Sequence, residues 1–186
     1  MSSHALNSAL AASGSRLTRL ELHFISGELE LALLARQAPH LLSLNVSDCA
    51  VGGARGVADL LPRLTHCRLL RVDWRGGAEA WLLESCPCLT SLHQEAGPAL
   101  TDAWLLSLLL GSPARLTQLT ELVVSGRCAL TARAATALAT LPQLQRLGDL
   151  QDWTMENEER AKLFQKLRDQ WERKMGYSRD IKMNDE

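Results

Sequence analysis

The chain has 186 residues, enough for about one domain with a sizeable core. Its 20 basic residues nearly balance its 21 acidic residues, so we expect neither nucleic acid nor an anionic membrane as a partner. No apolar run approaches the roughly 18 to 20 residues needed to cross a bilayer, so membrane insertion is not expected either.

The N-terminal segment 1–16 is rich in serine and alanine. Its stretch HALNSALAAS, which begins at His4, is typical of a helix that belongs to a partial repeat or caps the first full repeat. The segment has no acidic residue, which leaves a mitochondrial presequence open. The five cysteines are an odd number in a chain large enough to fold without disulfides, which favours reduced thiols in the cytoplasm or nucleus.

Leucine fills about one position in five, and it recurs in a Leu-x-x-Leu pattern along residues 17–150. The spacing between successive copies is 20 to 30 residues, which predicts about six irregular repeat units. The leading leucines of these units are Leu17, Leu41, Leu69, Leu89, Leu119 and Leu144.

Each unit predicts a short strand, a turn and then a helix. The leucines of the strand alternate with polar residues, as expected when one face of a strand is buried. Thr101 and Thr131 stand where an N-cap would begin a helix, and prolines such as Pro87 follow the helices. The predicted helices cover residues 29–36, 54–61, 78–84, 102–110 and 132–141.

After Leu150 the composition changes from leucine-rich to charged. Segment 151–176 predicts an amphipathic helix over residues 155–175, with Thr154 as its N-cap and a flexible tail over 177–186. The helix either caps the open end of the repeats or docks into a partner. Its apolar face carries Leu163, Leu167, Trp171 and Met175.

The stretch LLSLNVSDCAV at Leu41, together with CPCL at Cys86, resembles the cysteine-containing leucine-rich repeat found in F-box/leucine-rich-repeat proteins. The F-box motif itself is not recognised in the chain. The resemblance implies an α/β solenoid with parallel strands on the concave face and helices on the convex face. It also implies a substrate receptor of ubiquitin-ligase type, with ligase components among its partners.

Two cysteines and a histidine lie close together in SCPCLTSLH, which raises the question of a metal site. Cys86, Cys88 and His93 supply at most three ligands, and a structural zinc site needs four. In the repeat register Cys86 precedes a corner proline, and Cys49 occupies a turn position where its side chain caps backbone groups. We therefore expect no metal and no cofactor.

Parallel stacking of the strands would place their polar side chains in columns on the concave face. Such a face is the usual binding surface of solenoids, and we expect a protein partner to bind there. The candidate residues are Arg19, Glu21, His23, Asn45, Arg71, Asp73, Arg75, His93, Glu95 and Glu121.

The sequence contains no recognisable catalytic or nucleotide-binding motif, so we expect no catalytic residue and no enzyme activity. The favoured function is a protein–protein interaction module. The alternatives are a structural or assembly subunit of a larger complex anchored by the C-terminal helix, and an enzyme regulator such as a repeat-type small-GTPase activator.

Overall fold

The computed structural model describes residues 2–53, 61–78, 82, 85–95, 100–103, 105–106, 116–126, 128–138, 140–148 and 153–175. In chain order the strands of these residues are β1 (Arg19–His23), β2 (Glu28–Glu30), β3 (Ser43–Ser47), β4 (Ala50–Gly52), β5 (His66–Leu70), β6 (Asp73–Trp74), β7 (Ser91–Glu95), β8 (Leu100–Thr101), β9 (Glu121–Ser125), β10 (Cys128–Ala129) and β11 (Arg146–Leu147).

The main structural element is a six-stranded sheet in the order β1-β3-β5-β7-β9-β11, in which all neighbouring strands are parallel. Smaller parallel sheets join β2, β4 and β6, and join β8 to β10. The helices are α1 (Ser3–Ser13), α2 (Leu31–Gln37), α3 (Ala132–Leu138) and α4 (Asn157–Met175), with a 3-10 turn at Gly14–Arg16. The predicted α/β class with a parallel sheet is therefore confirmed.

Rows of buried leucines run across the strands on the inner side of the six-stranded sheet. The row just before the strands contains Leu41, Leu64, Leu89 and Leu119, each no more than 1% exposed. The inner side chains of the helices, including Leu34 and Leu138, belong to the same hydrophobic cluster. The core therefore lies between the sheet and the helices.

Threonines link neighbouring strands where the chain enters the sheet. Thr65 Oγ1 donates to the Leu42 carbonyl, Thr90 Oγ1 to that of Thr65, and Thr120 Oγ1 to that of Thr90, each at 2.9 Å. The backbone N–H groups of the same threonines donate to the same three carbonyls. Because each carbonyl accepts several bonds from the next unit, the parallel register of β5, β7 and β9 is fixed where the chain enters these strands.

The third repeat unit begins at Leu64 and not at Leu69, which corrects the predicted register. Strand β5 covers His66–Leu70, and the inward side chains of this unit are Leu64, Cys67 and Leu69. Cys67 replaces the second leucine of the motif and is 3% exposed. The corrected spacing between leading leucines is 23 to 30 residues, more regular than the predicted 20 to 30.

The predicted helices are partly correct. Helix α2 starts at Leu31 because residues 28–30 pair with β4 as strand β2, and α3 ends three residues before the predicted limit. Thr131 begins α3 as predicted, since its Oγ1 accepts a hydrogen bond from the Arg133 N–H at 3.2 Å. The predictions for 54–61, 78–84 and 102–110 lie largely outside the described residues.

Near the N-terminus, α1 packs against α2, and Ser2 forms a parallel bridge with Ser26 at the start of the β2 region. The Ser2 hydroxyl caps α1 by accepting from the Ala5 N–H at 3.2 Å. In the described residues no strand lies beyond β1, and Leu20 is less buried than its register partner Leu44.

Helix α4 packs against α3 at the other end of the sheet. Leu163 and Leu167 are 6% and 1% exposed and belong to the core. The helix starts at Asn157, because the carboxylate of Glu159 accepts from the Glu156 N–H at 3.2 Å; Thr154 does not form the cap. The backbone N–H of Thr154 instead donates to the Leu130 carbonyl. The side chains of Trp171 and Met175, and residues 176–186, lie outside the described residues.

We expect Leu167→Ala to lower the free energy of unfolding by about 2–4 kcal/mol, because it leaves a cavity in the core that α4 shares with the repeats. Phe164→Ala is the matched control on the same helix: Phe164 is 43% exposed, and its truncation costs less than about 1 kcal/mol. Urea denaturation followed by circular dichroism measures both values. Equal stability of the Leu167→Ala variant and the wild type would show that α4 does not cap the sheet.

Candidate functional site

The candidate site is the outer side of the six-stranded sheet, which we call the open face. It consists of the outward side chains of β1, β3, β5, β7, β9 and β11. Strand register aligns these side chains in columns: one column contains Glu21, Asn45, Arg68, His93 and Val123. The predicted residues that lie on this face are Arg19, Glu21, His23, Asn45, His93, Glu95 and Glu121.

The prediction was wrong for Arg71, Asp73 and Arg75, which do not lie on the strands of the open face. Arg71 follows β5 in a left-handed conformation with φ of 49°, so the chain turns away from the strand at that point. Asp73 belongs to β6 of the three-stranded sheet, and Arg75 follows it. These three residues lie off the open face because the third repeat begins at Leu64 and not at Leu69.

The side chains that take their place on β5 are His66, Arg68 and Leu70, which the sequence reasoning missed. Arg68 and His66 are exposed, whereas Leu70 is partly buried. The signal that identifies them is the motif Leu64-x-x-Cys67-x-Leu69, which becomes recognisable once cysteine is allowed in a leucine position.

Glu121 on β9 is the most connected acidic group of the open face. Its Oε2 accepts from the Ser91 hydroxyl at 2.8 Å, and its Oε1 lies 3.2 Å from Arg146 Nη1 and 3.6 Å from His93 Nε2. The hydrogen bond from Ser91, followed by the nearby charges of His93 and Arg146, lowers the pKa of Glu121 despite its partial burial. The carboxylate thus joins three neighbouring strands on their outer side.

At the β1 end of the open face, polar side chains also pair with each other. Arg19 Nε donates to Glu21 Oε1 at 3.0 Å, and His23 Nδ1 is hydrogen-bonded to the Ser47 hydroxyl of the next strand. The Arg19–Glu21 pair is largely exposed, so it contributes little to stability. Its charges remain accessible to a partner.

A bidentate ion pair lies at the edge of the open face, just beyond the ends of β3 and β5. Arg71 Nε and Nη2 donate to the two carboxylate oxygens of Asp48 at 2.7 and 2.8 Å, and Glu95 lies 3.9 Å from Arg71. The hydrogen bond from Arg71 lowers the pKa of Asp48. Phe24, Asp48 and Arg71 all follow their strands with positive φ. Phe24 is 70% exposed, which places a large aromatic ring at this edge.

A depression of about 170 Å³ lies in the open face over β5, β7 and β9. Leu70 and Val123 are its apolar lining residues, and its polar lining residues are Arg68, His93, Gln94, Glu95 and Ser125. In the column next to the depression, Asn45 Oδ1 is inaccessible to solvent and has no hydrogen-bond partner among the described residues.

Three of the described cysteines, Cys49, Cys67 and Cys86, are buried in the core. Cys49 Sγ donates to the Ser47 carbonyl at 2.9 Å and accepts from the Ile25 N–H at 3.4 Å, which links neighbouring units as expected. Burial raises the pKa of Cys67 to about 12 and that of Cys86 well above its ordinary value, so both are thiols at neutral pH. Within the described residues, no group of three or more His, Cys, Asp or Glu side chains is arranged to hold a metal ion.

No protein-family model matches the chain, and no curated protein matches it significantly in sequence. Among solved structures the chain is similar to the tropomodulin C-terminal domain from structural genomics of Caenorhabditis elegans, at 14% identity and a TM-score of 0.41, over 94% of this chain and 99% of that chain. A likeness at that level establishes neither a shared fold nor a shared function. No helix in the described part of the chain has the length and apolar character needed to span a membrane.

We expect Glu121→Gln to lower the free energy of unfolding by about 0.5–1 kcal/mol at neutral pH, because it removes a charged acceptor facing Ser91, His93 and Arg146. A carboxyl group with a lowered folded-state pKa stabilises the fold above its unfolded pKa, and that stabilisation is lost as the pH falls through its folded pKa. The difference between variant and wild type should therefore shrink below about pH 4 to 5.

Urea denaturation at a series of pH values measures this difference. Glu172→Gln, an exposed position on α4, is the control and should match the wild type at every pH. A difference for Glu121→Gln that stays constant from neutral to acidic pH would contradict the assignment of the ion pairs.

Proposed function

We propose that the chain is a leucine-rich-repeat solenoid that binds a protein partner through its open face, which would be the concave side of the solenoid. The observation that carries this proposal is the separation of roles within each strand. One side chain in two, such as Leu92, is buried in the common core, and its neighbours, such as His93, point outward in register with those of adjacent strands. A continuous polar surface on a rigid base is suited to binding a macromolecule.

The polarity of the open face supports a protein as its partner. The face carries both signs of charge in close pairs, such as Arg19 with Glu21 and Arg146 with Glu121. A mixture of signs favours recognition by a complementary protein surface over recognition by a polyanion, because nucleic acid would be repelled by the acidic groups. The cysteine-containing repeat motif adds the proposal of a substrate receptor of ubiquitin-ligase type, in the cytoplasm or nucleus.

The C-terminal helix fits the same proposal as a cap. Its residues Leu163 and Leu167 are already buried against the core, so they are not available to anchor the chain elsewhere in this conformation. The burial therefore favours the interaction module over an assembly subunit anchored by this helix. Phe164 is the large apolar side chain of α4 that is exposed among those described.

The test uses the full chain with an affinity tag, and quantitative mass spectrometry of the proteins that it captures from a cell extract. The face variant carries Glu21→Lys and Arg146→Glu, and the control variant carries the same charge changes at Glu30 and Arg133, which are exposed away from the open face. We expect the face variant to capture at least several-fold less of a stoichiometric partner than the wild type and the control variant capture.

The identity of that partner separates the proposals. Ligase scaffold proteins in the captured complex would support the receptor assignment. A stoichiometric partner that is captured equally by all three proteins would contradict binding through the open face and favour the assembly subunit.

A further inference from the structure

The depression over β5, β7 and β9 gives the open face a chemical preference, an inference that rests on the proposed function. At about 170 Å³ it is smaller than pockets for drug-sized ligands or cofactors, which span about 300–1,000 Å³. It is open to the face and not enclosed in the core. A single side chain of a protein partner is therefore a more suitable occupant than a cofactor.

The depression contains two aliphatic side chains, Leu70 and Val123, among polar lining residues. Leu70 is partly buried, and its register partners Ser47 and Glu95 are polar. Val123 is also partly buried and pairs in register with His93. Two aliphatic side chains on either side of β7 therefore remain incompletely covered, and an aliphatic side chain seated between them would remove apolar area from water.

Arg68 supplies the charge beside this apolar surface. The other two arginines on the described strands of the open face are ion-paired, Arg19 with Glu21 and Arg146 with Glu121. Arg68 is exposed, and it forms no ion pair within 4.0 Å with any described acidic group. Its guanidinium can therefore offer two parallel N–H groups to a carboxylate of a partner.

The acidic residues on β7 and β9 of the open face, Glu95 and Glu121, lie beside other cations. Glu121 is held by Ser91, His93 and Arg146, and Glu95 lies 3.9 Å from Arg71. A partner carboxylate at Arg68 would therefore gain a cation that the described acidic residues leave without an ion pair. Arg68 is therefore the cation of the depression that can pair with an acidic group of a partner, whereas Glu95 already lies beside Arg71.

We propose that the open face binds an extended acidic segment of a partner protein. An aspartate or glutamate of that segment pairs with Arg68, and an aliphatic residue two positions away fills the depression between Leu70 and Val123. Side chains two residues apart in an extended segment point to the same side and lie about 7 Å apart. That spacing matches the spacing of Arg68 and Leu70, which are themselves two residues apart on β5.

The test is a selection from a phage-displayed library of random dodecapeptides, with the full chain as the immobilised target. We expect the enriched peptides to share an acidic residue two positions from leucine, isoleucine or valine. Titration calorimetry of one enriched peptide should then show at least a tenfold weaker affinity for Arg68→Glu. Arg63→Glu, the same change at an exposed position before β5, is the control and should leave the affinity within twofold.

A charge exchange tests the contact itself, since the same peptide with lysine at its acidic position should recover at least tenfold in affinity for Arg68→Glu. Circular dichroism of both variants verifies that they remain folded. Failure to enrich any peptide, a consensus without an acidic residue, or equal effects at positions 63 and 68 would overturn the proposal. Displacement of the peptide by a single-stranded DNA oligonucleotide that binds through Arg68 would also overturn it, in favour of phosphate recognition.

The outcome also separates this inference from the proposed function. If the Glu21→Lys, Arg146→Glu variant loses the partner but Arg68→Glu retains it, the open face is the binding surface and the proposal of an acidic segment is wrong. If every variant of the open face retains the partner, both the proposed function and the proposal of an acidic segment are wrong.

Discussion

The structure depends on parallel pairing of the six strands in one register, with a buried apolar side chain at the same position of each unit. Burial of a leucine contributes about 1.5–3 kcal/mol relative to exposure, and Leu41, Leu64, Leu89 and Leu119 are each almost completely buried. No unit could bury its leucine alone, because the neighbouring units cover it. Stability is therefore shared along the sheet, and threonine hydrogen bonds at the entrances of β5, β7 and β9 hold each of these strands to the preceding one.

The same constraint creates the open face. Since side chains alternate along a strand, a register that buries Leu92 necessarily exposes His93 on the other side. The outward residues can therefore vary without disturbing the core. They include ion pairs, the exposed Arg68 and two aliphatic side chains. The position of Arg68 beside Leu70 is thus a consequence of the packing of Cys67 and Leu69 on the inner side.

Much of the fold could be predicted from the sequence, because leucine periodicity reports directly on burial. The strands that begin after Leu17, Leu41, Leu89 and Leu119 lie where the motif placed them. The third strand was misplaced because Cys67 occupies a leucine position, and LLRV at Leu69 offered a false copy of the motif. Periodicity cannot distinguish two overlapping apolar patterns when one contains a cysteine. Packing against the neighbouring strands decides between them.

Other features depend on contacts that no local pattern contains. The left-handed conformation of Arg71 removes it from the strand, and the partner that holds it there, Asp48, is 23 residues away in sequence. The depression beside Arg68 likewise depends on the side chains of three strands, β5, β7 and β9. The capping of α4 by Glu159 was missed because Thr154, the better cap by residue type, uses its backbone to reach Leu130.

The most direct measurement is the pattern of nuclear Overhauser effects between backbone protons of neighbouring strands in the labelled protein. With β5 paired between β3 and β7, cross-strand effects should connect residue 68 to residues 45 and 93. Effects that connect residue 73 to residues 45 and 93 would instead place the third strand at Leu69, and would contradict both the register and the surface inferred from it.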